Sequence, residues 1–561
     1  MRILFLTHSF NSLTQRLYVA LTELGHEVSV EFDIADSVTE EAVALYRPDI
    51  ILAPFLKRAI PASVWRHHTC LVVHPGIVGD RGPSALDWAV QNAETEWGVT
   101  VLQANAVMDG GDIWANEIFP MRLAKKSSLY RNEVTEAATR AVTTAIERYA
   151  QRDFVPCPLE KWSNVAGQER PVMWQEDRRI NWLRDDTQTI LRRIHAADGF
   201  PGVRDSLFDH ACFLFDAHAA PDYSGAPGTI LGWQGTSLVR ATVDGAIRIG
   251  HVRRPESAHP FKLPALVAFA AEQASIPVLC EADGESIRYE EQDGVGYLYF
   301  DFYNGAMSTA QCRELLAAYR QACSRPTRVI VLMGGDDFWS NGIHLNLIEA
   351  SEHPAEESWE NIQAMDDLAE AIITATSHIT VSALANNAGA GGAFLALAAD
   401  HVWARPSVLL NLHYKNMGNL YGSEFWTYTL PRRVGLEKTS RIVENRLPMS
   451  ARQAARLGIV DACFGTDAAM FRREVKQRAT AISRSPDYDV LRKTKTEARD
   501  RDESEKPLLR YRESELSEMH RNFFGFDPSY HYARRYFVHK TLPAWTPRHL
   551  CKHRGMVQGN H

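Results

Sequence analysis

Residues 383–405, ALANNAGAGGAFLALAADHVWAR, set a polar turn, a cluster of glycine and alanine, and an apolar run ending at Asp400 back to back. Only glycine lets a backbone approach a ligand so closely, and a helix opening directly after such a turn offers unpaired N–H groups to developing negative charge. The stretch reads as an oxyanion hole. Upstream, VGYLYFDFYNGAMSTAQCRELLAAYRQA (295–322) predicts a strand and an amphipathic helix, and RVIVLMGGDDFWSNGIHL (328–345) predicts a strand ending in a Gly-rich turn.

Taken in order, these stretches resemble three motifs of the crotonase (enoyl-CoA hydratase/isomerase) superfamily, whose members polarise the carbonyl of a CoA thioester. Residues 383–392 resemble A-x-N-G-x-A-x-G-G-G. Asn304-Gly305-Ala306-Met307-Ser308 resembles the N-A-[LM]-[ST] turn that lines the pantetheine site, and 328–345 resembles the strand ending in G-x-G-x-x-F-[SA]-A-G-x-D-L. The resemblance implies oxyanion N–H donors at Ser340 and Gly392, and coenzyme A contacts at Ala306, Met307, Gly342 and Gly391. His344 stands where the family has Asp.

Hydratases carry one glutamate three residues after the oxyanion glycine and another just after the next strand's Pro, where this chain has Leu395 and Ser407. Without those acids the hydration of a double bond has neither proton donor nor base, so the hydratase reading fails. The next segment, NLHYKNMGNLYGSEFWTYTLPRRVG (411–435), sets Tyr414, Tyr421 and Glu424 among aromatics. Such a stretch is more often a packing loop. Its place, where crotonases put their second acid, points to Tyr414 and Glu424 as catalytic, since a glutamate among Trp and Tyr gains a raised pKa suited to neutral-pH proton exchange.

The N-terminal half has a different rhythm. Arg2–Thr7 reads as a strand, 13–24 as a helix closed by Gly25, and Glu27–Phe32 as a second strand. With further strands at 50–53 and 71–73, this predicts a doubly wound parallel sheet whose site lies at the strand C-termini. The first turn, THSFNSLT, has no glycine, and no G-x-x-x-x-G-K-[ST] occurs, which argues against dinucleotide and nucleoside triphosphate ligands. His74-Pro75-Gly76, Arg81-Gly82-Pro83 and GVTVLQANAVMDGGDIW (98–114) resemble the N-x-H-P-S-L-L-P-x-x-R-G and G-V-T…D-x-G-D motifs of folate-dependent formyltransferases. That resemblance implies catalytic roles for His74 and Asp109, the carboxylate orienting the imidazole. The family's asparagine is Val72 here, which removes a side-chain donor to the tetrahedral oxyanion. Transfer then relies on His74 and backbone N–H groups, or suits an easier acceptor such as a thiol. Gln15, Arg81 and Asp112 are folate-binding candidates, Arg81 reading equally as a surface charge and Asp109 equally as a turn residue.

Residues 151–165 are Pro-bearing and aperiodic, and the segment after them resembles the small barrel-like C-terminal domain of methionyl-tRNA formyltransferase through Asn181-Trp182 and Phe200-Pro201-Gly202. The expected organisation is therefore a formyltransferase N-terminal domain over 1–160, an OB-like barrel over 166–255, a linker helix over 256–285, and a crotonase-like α/β spiral over 286–561 with helical C-terminal extension. The charge-rich run from Arg492 reads as a solvated helix face, the aromatic stretch after it as closing helices, and KHRG (552–555) as a tail.

The 561 residues, 45% apolar and 23% charged, fit two or three soluble domains. A formal charge of -8 with interspersed signs gives no footprint for nucleic acid or an anionic membrane. No apolar run spans a bilayer, no signal peptide is evident, and the scattered cysteines (70, 157, 212, 280, 312, 323, 463, 551) show no C-x-x-C, so a cytoplasmic protein without disulfides or metal is expected.

Across its whole length, including the Y-K-x-M-G-x-x-Y-G-S-E run at 414–424, the chain resembles the HypX-type [NiFe]-hydrogenase maturation proteins. The resemblance implies formyl transfer from 10-formyltetrahydrofolate to coenzyme A, then decarbonylation of formyl-CoA to CoA and carbon monoxide. The carbon monoxide becomes an iron ligand, so hydrogenase assembly factors are the implied partners. Two rivals stand beside this reading: a formyltransferase acting on an amine such as an amino sugar or tRNA, and a non-catalytic scaffold binding folate or CoA.

Overall fold

The computed structural model describes residues 1–151, 153–163, 165–280 and 286–555. They fall into two compact units, 1–281 with 542–561, and 282–541.

The first unit opens with strands β1 (Arg2–Thr7), β2 (Glu27–Phe32), β3 (Ile50–Phe55), β4 (Cys70–His74), β5 (Glu96–Gln103) and β6 (Ile113–Pro120), ordered β2-β1-β3-β4-β5-β6. The first four are parallel and almost wholly buried, as their continuous apolar runs require. β5 and β6 run antiparallel, which corrects the expectation of a parallel sheet throughout. The link 104–112 is too short for a parallel crossover, so β5 and β6 must form a hairpin. His74 ends β4 at the sheet's C-terminal edge.

A second sheet comes next in the chain: β7 (Val203–Leu207), β8 (His210–Ala219), β9 (Ile230–Gln234), β10 (Ser237–Ala241), β11 (Ala246–Arg253) and β12 (Lys262–Pro264). β11 pairs with β8 along one edge, while its other edge is shared between β10 at the start and β12 at the end. The helix Thr187–Ala197 packs Ile190, Leu191 and Ile194 into the core beneath.

The apolar spacing over 256–285 does not form a linker helix. Its described part is β12, a single helical turn at Ala265–Ala268 and a 3₁₀ segment at Ala270–Ser275, with Ala265 and Phe269 fully buried in the barrel core. Pro260, Pro264 and Pro277 deny a continuous helix its hydrogen bonds. Residues 281–285 of that expected helix lie outside the described residues.

The second unit carries a sheet of β13 (Ile287–Gln292), β14 (Val295–Phe300), β15 (Val329–Gly334) and β16 (Ile379–Leu384), with β17 (Ala388–Gly389) branching off before β18 (His401–Ala404). β19 (Leu409–Asn411) and β20 (Met449–Ser450) join β17 in a small second sheet, and β21 (Ala462–Cys463) ends the main one, ordered β13-β14-β15-β16-β18-β21. The helices Pro354–Thr374 and Leu508–Phe524 cover this unit's core. Within the charge-rich run, the helix Tyr488–Glu505 buries only Tyr488, as a solvated face should, but Glu515 further on is fully buried.

KHRG is not a free tail, and the chain beyond 541 belongs with the first unit rather than the crotonase-like one. β2 is an edge strand, and its outward N–H groups at Val30 and Phe32 donate to the Leu550 carbonyl and the Thr546 hydroxyl. His553, fully buried, bonds Ser29 at 2.7 Å and Glu31 at 2.9 Å, and Arg554 donates to Glu31 at 2.8 Å. Burial pushes the Glu31 carboxyl up, but hydrogen bonds from His553, Thr546 and Arg554 outweigh this and hold it below its ordinary value. Its contribution to stability is present above the unfolded value and lost as pH falls through the lowered one. Replacing His553 with Ala is expected to destabilise the first unit by about 2 kcal/mol or more at neutral pH, read as a drop in its thermal midpoint, with the deficit narrowing in acid.

Candidate functional site

In the first unit, the His74 imidazole lies between two carboxylates. Its Nε2 is 3.1 Å from Asp80 Oδ1, and its Nδ1 is 3.5 Å from Asp109 Oδ2. Asp80 is buried and receives Arg170 Nε at 3.1 Å on its other oxygen. Asp109 adopts a left-handed backbone (φ 52°), and its Oδ2 accepts the Gly82 N–H at 3.2 Å. Gly76 makes the turn possible: a Cβ there would fall 2.4 Å from His74 Nε2 and 2.8 Å from Asp80 Oδ1.

The sequence pattern therefore brings His74 and Asp109 together, and the structure adds Asp80 and Arg170. Asp80 sits inside the loop between Gly76 and Arg81, in view of the motif but unmarked by it. Val72 lies two residues before His74 on β4, hence on the same face, and packs partly buried against the sheet core. The three folate candidates are not gathered at the imidazole by direct bonds. Arg81 pairs with exposed Glu169 at 3.3 Å, Asp112 is exposed and uses its carbonyl to close the β5–β6 hairpin, and Gln15 Nε2 donates to the Phe10 carbonyl at 2.9 Å.

In the second unit, β17 and the turn at Ala390 (φ 47°) lead into the short helix Gly391–Ala396. Ser340 bridges Ala388, and its carbonyl accepts the Gly389 N–H at 2.9 Å. Among the described residues, the N–H groups of Ser340, Gly391 and Gly392 donate to no protein acceptor. Two glycines keep this corner open. A Cβ on Gly392 would lie 2.3 Å from the Ser340 carbonyl oxygen, and one on Gly342 (φ 80°) would sit 3.2 Å from Gly391 N and 3.4 Å from Gly392 N, over the donors themselves. Ala306 is partly exposed in the neighbouring turn. Met307 is fully buried with its sulfur 3.1 Å from Ser340 Oγ, its N–H donating to the Gly342 carbonyl at 2.9 Å and its carbonyl accepting Asn361 Nδ2 at 3.0 Å. His344 caps the helix Leu345–Ala350 through Nδ1, which accepts the Leu347 N–H.

The Glu424 carboxylate reaches this corner: a Cβ on Gly391 would lie 2.4 Å from Glu424 Oε1. The Tyr414 hydroxyl donates to Glu424 Oε2, and the Tyr414 ring stacks on Phe394 at 5.0 Å. Leu395, where a hydratase has its first acid, is buried in the apolar core. Tyr421 packs against Trp426 at 5.3 Å and takes no part in the corner.

Glu424 and Phe425 are both left-handed (φ 62° and 57°), and two buried carboxylates hold them there. Asp366 Oδ1 accepts the Glu424 N–H at 2.7 Å; Glu515 accepts the Phe425 and Thr427 N–H groups at 2.9 and 2.8 Å. Neither acid carries a sequence signal: Asp366 lies mid-helix beside an equivalent Asp367, and Glu515 in a charged run. Burial, then the Asp366 charge, pushes Glu424 up to about 8; burial pushes Asp366 up to about 7 and Glu515 well above its ordinary value. The same surroundings, burial first, raise the Tyr414 phenol well above 10. Among the described residues no group of His, Cys, Asp or Glu is arranged to hold a metal ion, and no helix is long and apolar enough to cross a membrane.

Comparison with known proteins divides the chain in nearly the same way, the last match running a few residues past 541. The formyl transferase family matches residues 3–146, the formyl transferase C-terminal domain 173–260, and the enoyl-CoA hydratase/isomerase family 290–548. The hydrogenase maturation factor HoxX of Bradyrhizobium diazoefficiens is 53% identical over 99% of this chain and 97% of its own length. The crystal structure of HypX from Aquifex aeolicus in complex with tetrahydrofolic acid superposes with a TM-score of 0.95 at 46% identity, covering 99% of each chain. The methionyl-tRNA formyltransferase of Ralstonia nicotianae is 25% identical over 38% of this chain and 66% of its own length.

The raised carboxyls set a pH dependence. In the unfolded chain Glu424 ionises near 4.5, whereas in the fold it holds its proton up to about 8. Stability therefore falls as pH rises across that window and levels off above it. Glu424→Gln removes this penalty, so the variant is expected to melt higher than the wild type by about 3 °C or more at pH 8, with the gap closing toward pH 4.5. Thermal scans at three pH values check it.

Proposed function

The chain belongs to the HoxX/HypX family of hydrogenase maturation factors, and on that premise we propose that it makes carbon monoxide in two steps. Formyl passes from 10-formyltetrahydrofolate to the sulfur of coenzyme A, and formyl-CoA then separates into carbon monoxide and CoA. The observation that carries the reading is the Glu424 carboxylate packed on Gly391, beside three uncommitted N–H groups, in a crotonase-like unit with Leu395 and Ser407 in place of the hydratase acids.

In the first step His74 takes the proton of the attacking thiol and returns a proton to the departing folate nitrogen, with Asp80 and Asp109 fixing its ring. With Val72 in the asparagine position, backbone N–H groups stabilise the oxyanion, and a thiol acceptor, more readily ionised than an amine is deprotonated, tolerates the weaker hole. The tetrahydrofolic acid bound by the Aquifex aeolicus relative supports a folate donor. Gln15, Arg81 and Asp112 remain its proposed contacts, Arg81 by exchanging Glu169 for a ligand carboxylate.

In the second step Ser340 and Gly392 N–H groups hold the formyl oxygen, while Ala306, Gly342 and Gly391 border the thioester, with Met307 packed behind Ser340. Glu424, kept in place by the Tyr414 hydroxyl, removes the formyl hydrogen as a proton. The C–H electron pair stays on carbon, the C–S pair leaves with sulfur, and Glu424 returns the proton to the thiolate. Carbon monoxide and CoA result with no oxidant or reductant. The carbon monoxide is destined for the iron of [NiFe]-hydrogenase, with the factors that assemble that iron as recipients.

A single-turnover assay with 10-formyltetrahydrofolate and CoA, reading carbon monoxide by haem absorbance, tests both steps. Glu424→Gln is expected to accumulate formyl-CoA while carbon monoxide release falls about 10²–10⁴-fold; release at the wild-type rate removes Glu424 from the mechanism. His74→Ala is expected to block formyl-CoA formation yet decompose added formyl-CoA normally.

A further inference from the structure

Asp366 approaches the Glu424 site from the helix Pro354–Thr374. Its Oδ1 is committed to the Glu424 N–H, but its Oδ2, fully buried, makes no hydrogen bond of normal geometry and faces the Ser423 hydroxyl as a polar neighbour that favours its charged form. An ionised carboxylate left so would be costly, while a carboxyl that carries a proton part of the time is not. The cations nearby are spoken for: Arg512 binds Asp367 at 2.6 Å and Glu370 at 2.7 Å and reaches Asp366 only through space. The remaining groups that face Glu424 from elements packed around it are the Tyr414 phenol, the Ser423 hydroxyl, Glu515 from the helix Leu508–Phe524 and the Cys312 thiol from the helix Thr309–Cys323. None of these is a cation.

We propose that Asp366 is a positioning residue that shares a single proton with Glu424, so that the pair, rather than Glu424 alone, is the group that takes up and returns the thioester proton. The proposal rests on the decarbonylation reading above and deepens it. At rest the pair holds one proton and one negative charge. The formyl proton brings it to two protons and no charge, and protonation of the departing thiolate restores the first state, so atoms and charge balance. Burial and, after it, the like charge of Asp366 keep Glu424 from ionising once and for all, and the Asp366–backbone bond holds the acceptor oxygen aimed at the thioester. The neutral-range positions of both carboxyls agree with this sharing.

Asp366→Asn decides it, because Asn retains an oxygen for the Glu424 N–H and the shape of the side chain but removes the charge. The carboxylic-acid infrared band that disappears in Glu424→Gln is expected to titrate about one pH unit or more lower in Asp366→Asn than in the wild type. The acid limb of carbon monoxide release from added formyl-CoA should move by the same amount, with formyl transfer in the first unit unchanged. Coincident band titrations in the two proteins overturn the sharing. A shifted band in a protein whose wild type releases no carbon monoxide overturns the decarbonylation reading and leaves the sharing intact. If Asp366→Asn does not fold, the wild type decides: two coupled carboxyl steps near neutrality support the pair, and a single step overturns it.

Discussion

Two buried carboxylates, each accepting backbone N–H groups from the strand-to-helix turn at Glu424–Phe425, hold the centre of the second unit together. Two successive non-glycine residues in the left-handed region cost about 1–3 kcal/mol each, a strain that persists only where the surroundings over-determine it. Asp366 and Glu515 supply that constraint from two different helices. The aim of one side chain therefore depends on the packing of the whole helical layer, and the stacked Phe394–Tyr414 pair and the Gly422 turn against the Tyr414 ring fill in behind it.

The same constraint sets where a carboxylate meets the glycine corner of this crotonase-like frame. The corner is kept open by small residues with free N–H groups, through Gly342, Gly391 and Gly392. What changes is where acid enters. With Leu395 in the core, the carboxylate against the corner is delivered by the loop after β19. In the first unit Val72 stands in the asparagine position, and the histidine is held by Asp80 backed by Arg170.

Much of this was legible because the signals are local. The βαβ opening, the glycine corner and the Tyr414–Glu424 run are each written in one continuous stretch of chain, the His74–Asp109 pairing in two short motifs, and family resemblance joined them. What escaped depends on contacts far apart in sequence. Asp366 and Glu515 look like ordinary helix-surface acids until the 424 turn arrives to use them. The 256–280 segment carries helical spacing, yet its prolines and the pull of the barrel core on Phe269 break it into a strand and turns. KHRG looks like a basic tail because nothing nearby reveals that Glu31, 522 positions away from His553, is waiting for it.

That last contact has a bearing on how such a chain can evolve. The formyltransferase-like unit is closed at its exposed sheet edge by residues encoded beyond the crotonase-like one. A gene cut between the two modules would leave an unpaired β2 ready to recruit a foreign strand. Recombination can therefore exchange the pair as a whole but not its members singly, and the two units are inherited together for a reason that lies in strand pairing.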